Sequence, residues 1–291
     1  MKPAPFDYHA PTSVDEAVGL LASLGDSAKV LAGGQSLVPM LALRLAIFEH
    51  LVDLRRVEEL RTIERRNGTL WIGAGTTQAA IERSAEVGTA VPLLARATPF
   101  IGHFQIRNRG TIGGSVAHAD PAAEYPAVAL ALDAELEVQS PAGRRTIPAS
   151  GFFTGTWTTA LADDEVLVGV GFPVWEGRVG SAVEELARRH GDFALAGAAV
   201  AVELDDAGIV TRCGIGLLGL GSTPERASSA EVAIIGSSAV DVDAHVVGQQ
   251  AVADLAAVPS DIHASADYRT RVAAQLVQRA WERAVAEAAD A

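Results

Sequence analysis

Two glycine doublets constrain this chain more than any other feature: Gly33-Gly34 in "AKVLAGGQSLVPMLALR" and Gly113-Gly114 in "NRGTIGGSVAHADPAAEYPA". The first ends "KVLAGG", which reads as a short buried strand running into a turn, and precedes a predicted helix that starts near Ser36. A strand–turn–helix junction aims backbone N–H groups and the positive end of a helix dipole into the turn, where an anion can sit. Glycine lets backbone approach such a guest and tolerates the positive φ that these turns often need. Gln35 and Ser36 add neutral donors, and Thr111 and Ser115 place hydroxyls beside the second doublet. Neither stretch holds the Lys-Ser/Thr pair of a P-loop or the G-x-G-x-x-G spacing of a Rossmann turn. Either doublet alone reads as a tight turn with no ligand. Taken together, they suit the pyrophosphate of a dinucleotide held between two parts of the chain.

The rest of the sequence supplies a frame for such a cleft. "TSVDEAVGLLASLGD" carries a capping box, Ser13 with Glu16. It places Val14, Ala17, Leu20, Leu21 and Leu24 on one helical face before Gly25 stops it. With "SLVPMLALRLA" as a helix and "HLVDL" as a strand, an α/β unit spans 1–56. Asn67-Gly68 then marks a hairpin between "LRTIERR" and "TLWIGAG". "TQAAIERSAEVG", "VPLLARAT" and "PAVALALDA" read as helices, and "ELEVQS", "RRTIP" and "DEVLVGVGFP" as strands, so 57–175 reads as an α+β unit. From 176 to 291, two long β runs joined by Asp-Ala-Gly precede helices near 227–236, 241–256 and 265–289. This is an antiparallel sheet covered by helices.

Composition excludes several function classes. A net charge of −13 argues against nucleic acid, whose phosphates need clustered Lys and Arg. No apolar run reaches the roughly 18 residues of a membrane span. The opening "MKPAPFDYHAP" lacks the apolar core of a signal peptide, so a cytoplasmic protein is expected. The single cysteine, Cys213, lies in an apolar strand-like run and reads as a buried structural thiol. One thiol cannot hold an iron–sulfur cluster or a thiolate zinc site, and the seven histidines show no metal-ligand spacing. The mixed-charge "RRVEELRTIERR" reads as solvated surface. His118 and Asp120 are expected to serve structure, Asp120 capping ahead of Pro121 and His118 as a loop or cofactor-edge contact.

The two doublet segments, together with "ELARRHGDFALAGAAV", resemble the signatures of the medium, FAD-binding subunits of molybdenum hydroxylases. That family includes the medium chain of aerobic carbon monoxide dehydrogenase and is related to the flavin domain of xanthine dehydrogenase. The order, spacing and total length match over essentially the whole chain. The resemblance implies a vanillyl-alcohol-oxidase-like (PCMH-type) two-part FAD-binding domain, followed by a C-terminal domain of the carbon monoxide dehydrogenase flavoprotein type. It implies that the doublets pinch the FAD pyrophosphate from either side. By position, Ala32, Gly33, Gly34, Gln35, Ser36 and Leu37 form the first loop, with Lys29 just before it. Thr111, Ile112, Gly113, Gly114 and Ser115 form the second. Ile101, Gly102, Ile106 and Gly110 line the adenosine side, Glu124 hydrogen-bonds the cofactor, and Leu167 packs by the isoalloxazine ring. The sequence departs from the xanthine-oxidising relatives in one place. Where they carry a Lys that stabilises negative flavin, this chain reads "AVEELARR", with Glu184 and Glu185. The role then passes to Arg188 or Arg189, or is missing.

The resemblance also implies partners, since this chain can hold neither clusters nor molybdenum. Electrons would come from a molybdopterin centre in a large subunit through two [2Fe–2S] clusters in a small subunit. They would leave to an external acceptor (quinone, NAD or oxygen), and the trimers would pair as a dimer of heterotrimers. A free-standing FAD oxidase with its own organic substrate is the alternative, and a non-catalytic interaction module is a third. Carbon monoxide, an aldehyde, an N-heterocycle and an aromatic acyl thioester all remain open as substrates of the complex.

Overall fold

In the computed structural model, which describes residues 2–291, three main sheets and one short ribbon are packed with helices between them. The first sheet is parallel, in the order β1 (Asp7–His9), β3 (His50–Asp53), β2 (Ala28–Leu31). Helix α1 (Val14–Leu24) crosses from β1 to β2. It starts where the Glu16 amide donates to Ser13 Oγ (3.1 Å), while the Glu16 carboxylate accepts from the Thr12 amide (2.7 Å). Its buried Val14, Ala17, Val18 and Leu21 share a core with Val52, Leu54, Val57 and Leu60. Helix α2 (Leu37–Ala42) is shorter than expected, because the chain leaves the helical region at Arg44, with φ 58°.

The middle section builds a five-stranded antiparallel sheet. β4 (Ile63–Arg66) and β5 (Thr69–Gly73) form the expected hairpin, with Asn67 and Gly68 both at positive φ, as a type I′ turn requires. The segment expected as one helix is two, α3 (Gln78–Arg83) and α4 (Ala85–Ala90). It breaks at Ser84, whose side chain accepts from the Val87 amide (3.3 Å) and starts a new helix. Then come α5 (Pro92–Ala97), α6 (Phe104–Arg107), α7 (Ile112–His118) and α8 (Glu124–Ala131). The strands β6 (Glu135–Ser140) and β7 (Gly143–Pro148), the ribbon β8 (Phe153–Gly155) with β9 (Thr158–Thr159), and β10 (Val166–Pro173) close the section. The sheet order is β4-β5-β10-β6-β7. On the central β10, every residue but Pro173 is buried, and Val166 and Val168 reach the core beneath α1.

The last section is the expected antiparallel sheet, in the order β11 (Arg178–Ala187), β12 (Ala194–Leu204), β13 (Val210–Leu218), β14 (Glu225–Arg226). Helices α9 (Ser228–Ile234), α10 (Ala244–Ala253) and α11 (Ala266–Asp290) cover one face. Strand alternation separates the two faces. Ala182, Ala198, Val200, Val202, Cys213, Ile215 and Leu217 pack with those helices, whereas Val183, Ala199 and Ala201 join the core of the middle section. Gly214 and Gly216 lie on this second face, where an added Cβ would run into the Ala131 and Ala127 carbonyl oxygens of α8. Helix α8 therefore rests backbone to backbone on a sheet it does not belong to. Its residues Tyr125 to Ala131 are all buried, because it is covered from both sides. Burial raises the Cys213 thiol well above its ordinary range, in keeping with a structural role. Among the described residues, no helix is long and apolar enough to cross a membrane.

Candidate functional site

The two doublets meet. Beside the first, at Gly33, an added Cβ would run into the Arg109 carbonyl oxygen and lie 2.7 Å from Gly110 Cα. At Gly114 an added Cβ would come 3.2 Å from Ala32 Cβ. The turns thus form one continuous surface rather than two jaws set apart. Gly33 is required by the contact of one turn with the other, a different reason from close approach to a ligand. Gly34 is required by its φ of 74°. At Gly113 an added Cβ would strike Ala74 just past the end of β5, and at Gly110 it would lie 2.5 Å from the Gln78 side-chain oxygen.

The donors are divided unequally between the turns. The amides of Gly33, Gly34, Gln35 and Ser36 donate to no protein atom among the described residues, and the Gln35 side chain folds back to the Gly33 carbonyl (3.0 Å). In the second turn the amides from Ile112 to Ser115 are all spent. Ile112 donates to Thr76 O (3.0 Å), Gly113 to Ala74 O (2.9 Å), Gly114 to Thr111 Oγ1 (3.0 Å) and Ser115 to Thr111 O (3.0 Å). This stretch is the capped first turn of α7, not an open loop. What it offers are hydroxyl protons: those of Thr111 and Ser115, like that of Ser36, donate to no protein atom among the described residues. Four free amides together with three neutral hydroxyl groups suit a diester-type anion such as a pyrophosphate.

The other expected residues fall around this surface with separate partners. Ile101 is buried, and Gly102, at φ 50°, packs on Ile106. Lys29 is exposed on β2, with its ammonium 5.9 Å from the Phe48 ring centroid. Leu167 is buried on β10 beside Val138. Asp120 accepts from the Ala122 amide (2.9 Å) and the Trp157 indole (3.3 Å), which makes it a turn cap rather than an acid. His118 stacks on Trp157, and burial holds its pKa below the ordinary value, with Asp120 opposing and Lys29 adding to the shift.

Glu124 opens α8. Burial pushes its carboxyl up to about 7, partly offset by its own backbone amide, with Asp120 adding repulsion. Glu185 lies on the β11 face turned toward the middle section. Burial raises it to about 8, with Glu124 adding to the shift, and its Oε2 is buried without a hydrogen-bond partner. Glu184 points the opposite way, to Arg283 of α11. Arg188 bonds His263 (3.0 Å), and both Arg188 and Arg189 are exposed. Sequence reasoning missed Arg107, which is buried, forks onto Glu82 (2.9 and 3.1 Å) and donates to Ile101 O (3.1 Å) and Gly102 O (3.2 Å). It fixes the segment leading to the second doublet, and no local signal marks it because its partner sits on α3. Among the described residues, no group of three or more His, Cys, Asp or Glu could hold a metal ion.

Comparison with known proteins supplies what the geometry leaves open. Residues 4–175 match the family described as the FAD binding domain in molybdopterin dehydrogenase, and residues 181–284 match the CO dehydrogenase flavoprotein C-terminal domain. The carbon monoxide dehydrogenase medium chain of Hydrogenophaga pseudoflava is 41% identical over 99% of this chain and 100% of its own. The 6-hydroxypseudooxynicotine dehydrogenase complex subunit alpha of Paenarthrobacter nicotinovorans is 43% identical over 98% and 96%. In a solved structure of Hydrogenophaga pseudoflava carbon monoxide dehydrogenase lacking the Mo-pyranopterin moiety, one chain superposes with a TM-score of 0.95. It covers 99% of both chains at 43% identity.

Proposed function

Since the chain belongs to the FAD-binding medium subunits of the molybdenum hydroxylase and carbon monoxide dehydrogenase family, we propose that it is the electron-transfer component of such an enzyme. It would receive electrons from the [2Fe–2S] clusters of a small subunit and pass them to an external acceptor. Oxidation of the substrate would be left to a molybdopterin-bearing large subunit, in a cytoplasmic dimer of heterotrimers. The single observation that carries this reading is the set of four free amides at Gly33 to Ser36, on a turn packed against the turn that bears the free hydroxyls of Thr111 and Ser115. FAD bound there supplies a centre that exchanges electrons both singly and in pairs.

The chain's own residues bind and orient. Gly33, Gly34, Gln35 and Ser36 would hold the pyrophosphate, with Ala32 and Leu37 completing that turn and Lys29 beside it. Thr111, Ile112, Gly113, Gly114 and Ser115 would close the other side. Ile101, Gly102, Ile106 and Gly110 would line the adenosine side, and Glu124 and Leu167 the ring side. In this reading 1–56 and 57–175 are the two parts of the FAD-binding domain, and 176–291 is the domain that covers the cofactor. The two relatives named above act on chemically unlike substrates, which fits a chain that does not select the substrate.

The reading is tested by adding carbon monoxide and 6-hydroxypseudooxynicotine anaerobically to the FAD-loaded chain alone. No bleaching of the flavin is expected from either, while dithionite reduces it. Bleaching of the isolated chain by an organic substrate would instead make it a free-standing oxidase.

A further inference from the structure

Trp157 occupies a position that its side chain does not suit. It stands in the turn that joins β8 to β9, at φ 56°, a left-handed backbone position that hairpin turns ordinarily give to Gly, Asn or Asp. The residue is nevertheless fixed from several sides. Its amide donates to Ala119 O (3.2 Å) and its indole N–H donates to Asp120 (3.3 Å). Its ring stacks, offset, on His118, with centroids 6.3 Å apart and planes 13° from parallel. From the last section, Ser222 O accepts from the hydroxyl of the neighbouring Thr156 (3.1 Å). Ala119 is itself at φ 53°, so two non-glycine residues in left-handed backbone are hydrogen-bonded to each other. For all this, Trp157 is left 59% exposed. A tryptophan that serves packing is buried, whereas a rigid one with its ring open to solvent is built for contact.

The ring lies at the rim of the proposed flavin cleft. Helix α7 carries the second doublet in its first turn and His118 at its end, and it packs on β9. His118 is one helical turn past Gly114, so both lie on one face of α7. That is the face on which Gly114 meets Ala32 of the first turn. Trp157 thus extends the surface made by the two turns, from the end opposite the capped amides.

We propose that the open face of Trp157 is the stacking site for the molecule that takes electrons from the flavin, and that this acceptor presents a planar, electron-poor ring, a quinone or an oxidised nicotinamide. This rests on the FAD reading above. An indole is electron-rich and negative over its faces, so it stacks on electron-poor rings and attracts a cationic one. The transfer balances with either ring. A reduced flavin gives two electrons and two protons to a quinone, which leaves as the hydroquinone. To a nicotinamide it gives a hydride, and the second proton goes to solvent.

The test uses the FAD-loaded full-length chain, with menadione and NAD as probes and ferricyanide, which has no ring to stack, as the reference oxidant. Trp157 is the exposed one of four tryptophans, since Trp281 is buried and Trp71 and Trp175 are half-buried. Its emission is the part that Trp157→Phe removes. With the flavin oxidised, so that no electron moves, a probe should saturably shorten the lifetime of that emission. With the flavin reduced by dithionite, reoxidation should saturate in the same probe. Trp157→Ala should raise the half-saturating concentration about tenfold or more, the size of one lost stacking contact, and slow ferricyanide far less. Trp157→Phe, which keeps a ring, should recover part of that loss. Whichever probe saturates identifies the ring. Saturation by neither overturns the proposal, as does a Trp157→Ala loss that is as large with ferricyanide. A folded Trp157→Ala that no longer holds FAD makes the ring part of the cofactor's own site and also overturns it. Failure of the wild-type chain to hold FAD overturns the FAD reading instead, and is seen before any probe is added. If Trp157→Ala does not fold, the wild-type lifetime titration decides alone.

Discussion

Gly33 and Gly19 show how little the identity of a residue says without its neighbours. Gly33 has the Arg109 carbonyl oxygen where its side chain would go, while Gly19, inside α1, has nothing within 4 Å. Gly33→Val is therefore expected to push the first turn off the second and misplace the free amides. Losing two hydrogen bonds to a charged group at ~1.5 kcal/mol each weakens FAD retention about a hundredfold. The flavin-to-protein ratio after gel filtration checks it, and a full flavin complement contradicts the site. Gly19→Ala should instead stabilise the chain by ~0.5–1 kcal/mol through helix propensity and leave FAD content unchanged, as read from denaturant midpoints. The doublets themselves were legible in the sequence because a strand–turn–helix junction is a local event. Their contact was not, since Gly33 and Arg109 come together only through the tertiary fold. Nor was the spending of the second doublet's amides, because the acceptors at Ala74 and Thr76 lie beyond the end of β5.

At the scale of elements, α8 and the last sheet are the most demanding contact. The β13 sequence Cys213-Gly-Ile-Gly-Leu217 alternates large residues toward the covering helices with glycines toward α8. A strand was readable there from its apolar content, but the purpose of Gly214 and Gly216 was not, because α8 belongs to another section of chain. Arg226 locks the same contact by donating to Leu130 O (3.0 Å) and pairing with Asp133 and Glu231. Gly214→Val should thus separate α8 from the sheet at a cost of about 2–3 kcal/mol, the usual penalty of overpacking where only backbone can give way. Urea denaturation measures it, and a loss under 0.5 kcal/mol would show that the contact is looser than drawn. The helix expected over 77–88 failed for a local reason of the opposite kind. The Ser84 side chain satisfies the Val87 amide better as a cap than it could inside a helix.

For the whole molecule, the raised carboxyls set a pH dependence whose sign is fixed. Glu124 and Glu185 hold their protons in the folded chain to about 7 and about 8, well above their ordinary value. Their protonated forms stabilise the fold fully below the unfolded value. That contribution is lost as pH rises through the folded values. The apo chain should melt at progressively lower temperature from about pH 5 to pH 8, and Glu185→Gln should flatten the slope. A melting temperature that climbs over this range would contradict the assignment. At the same scale, Arg188 and Arg189 are exposed on the segment after β11, where they could meet the acids of a partner. Reversing both to Glu should slow assembly with the two companion chains by about tenfold or more at low salt, as read from association kinetics.

The proposed division places the flavin on this chain and iron and molybdenum on other chains. Its most direct test is elemental and flavin analysis of the particle isolated from the native cell through a tag on this chain. Iron, molybdenum and FAD should elute together with a larger and a smaller chain, and stripping the partners should leave all the FAD and none of the metal behind. A metal-free flavoprotein that elutes alone and reduces its own flavin with an organic substrate would contradict that division.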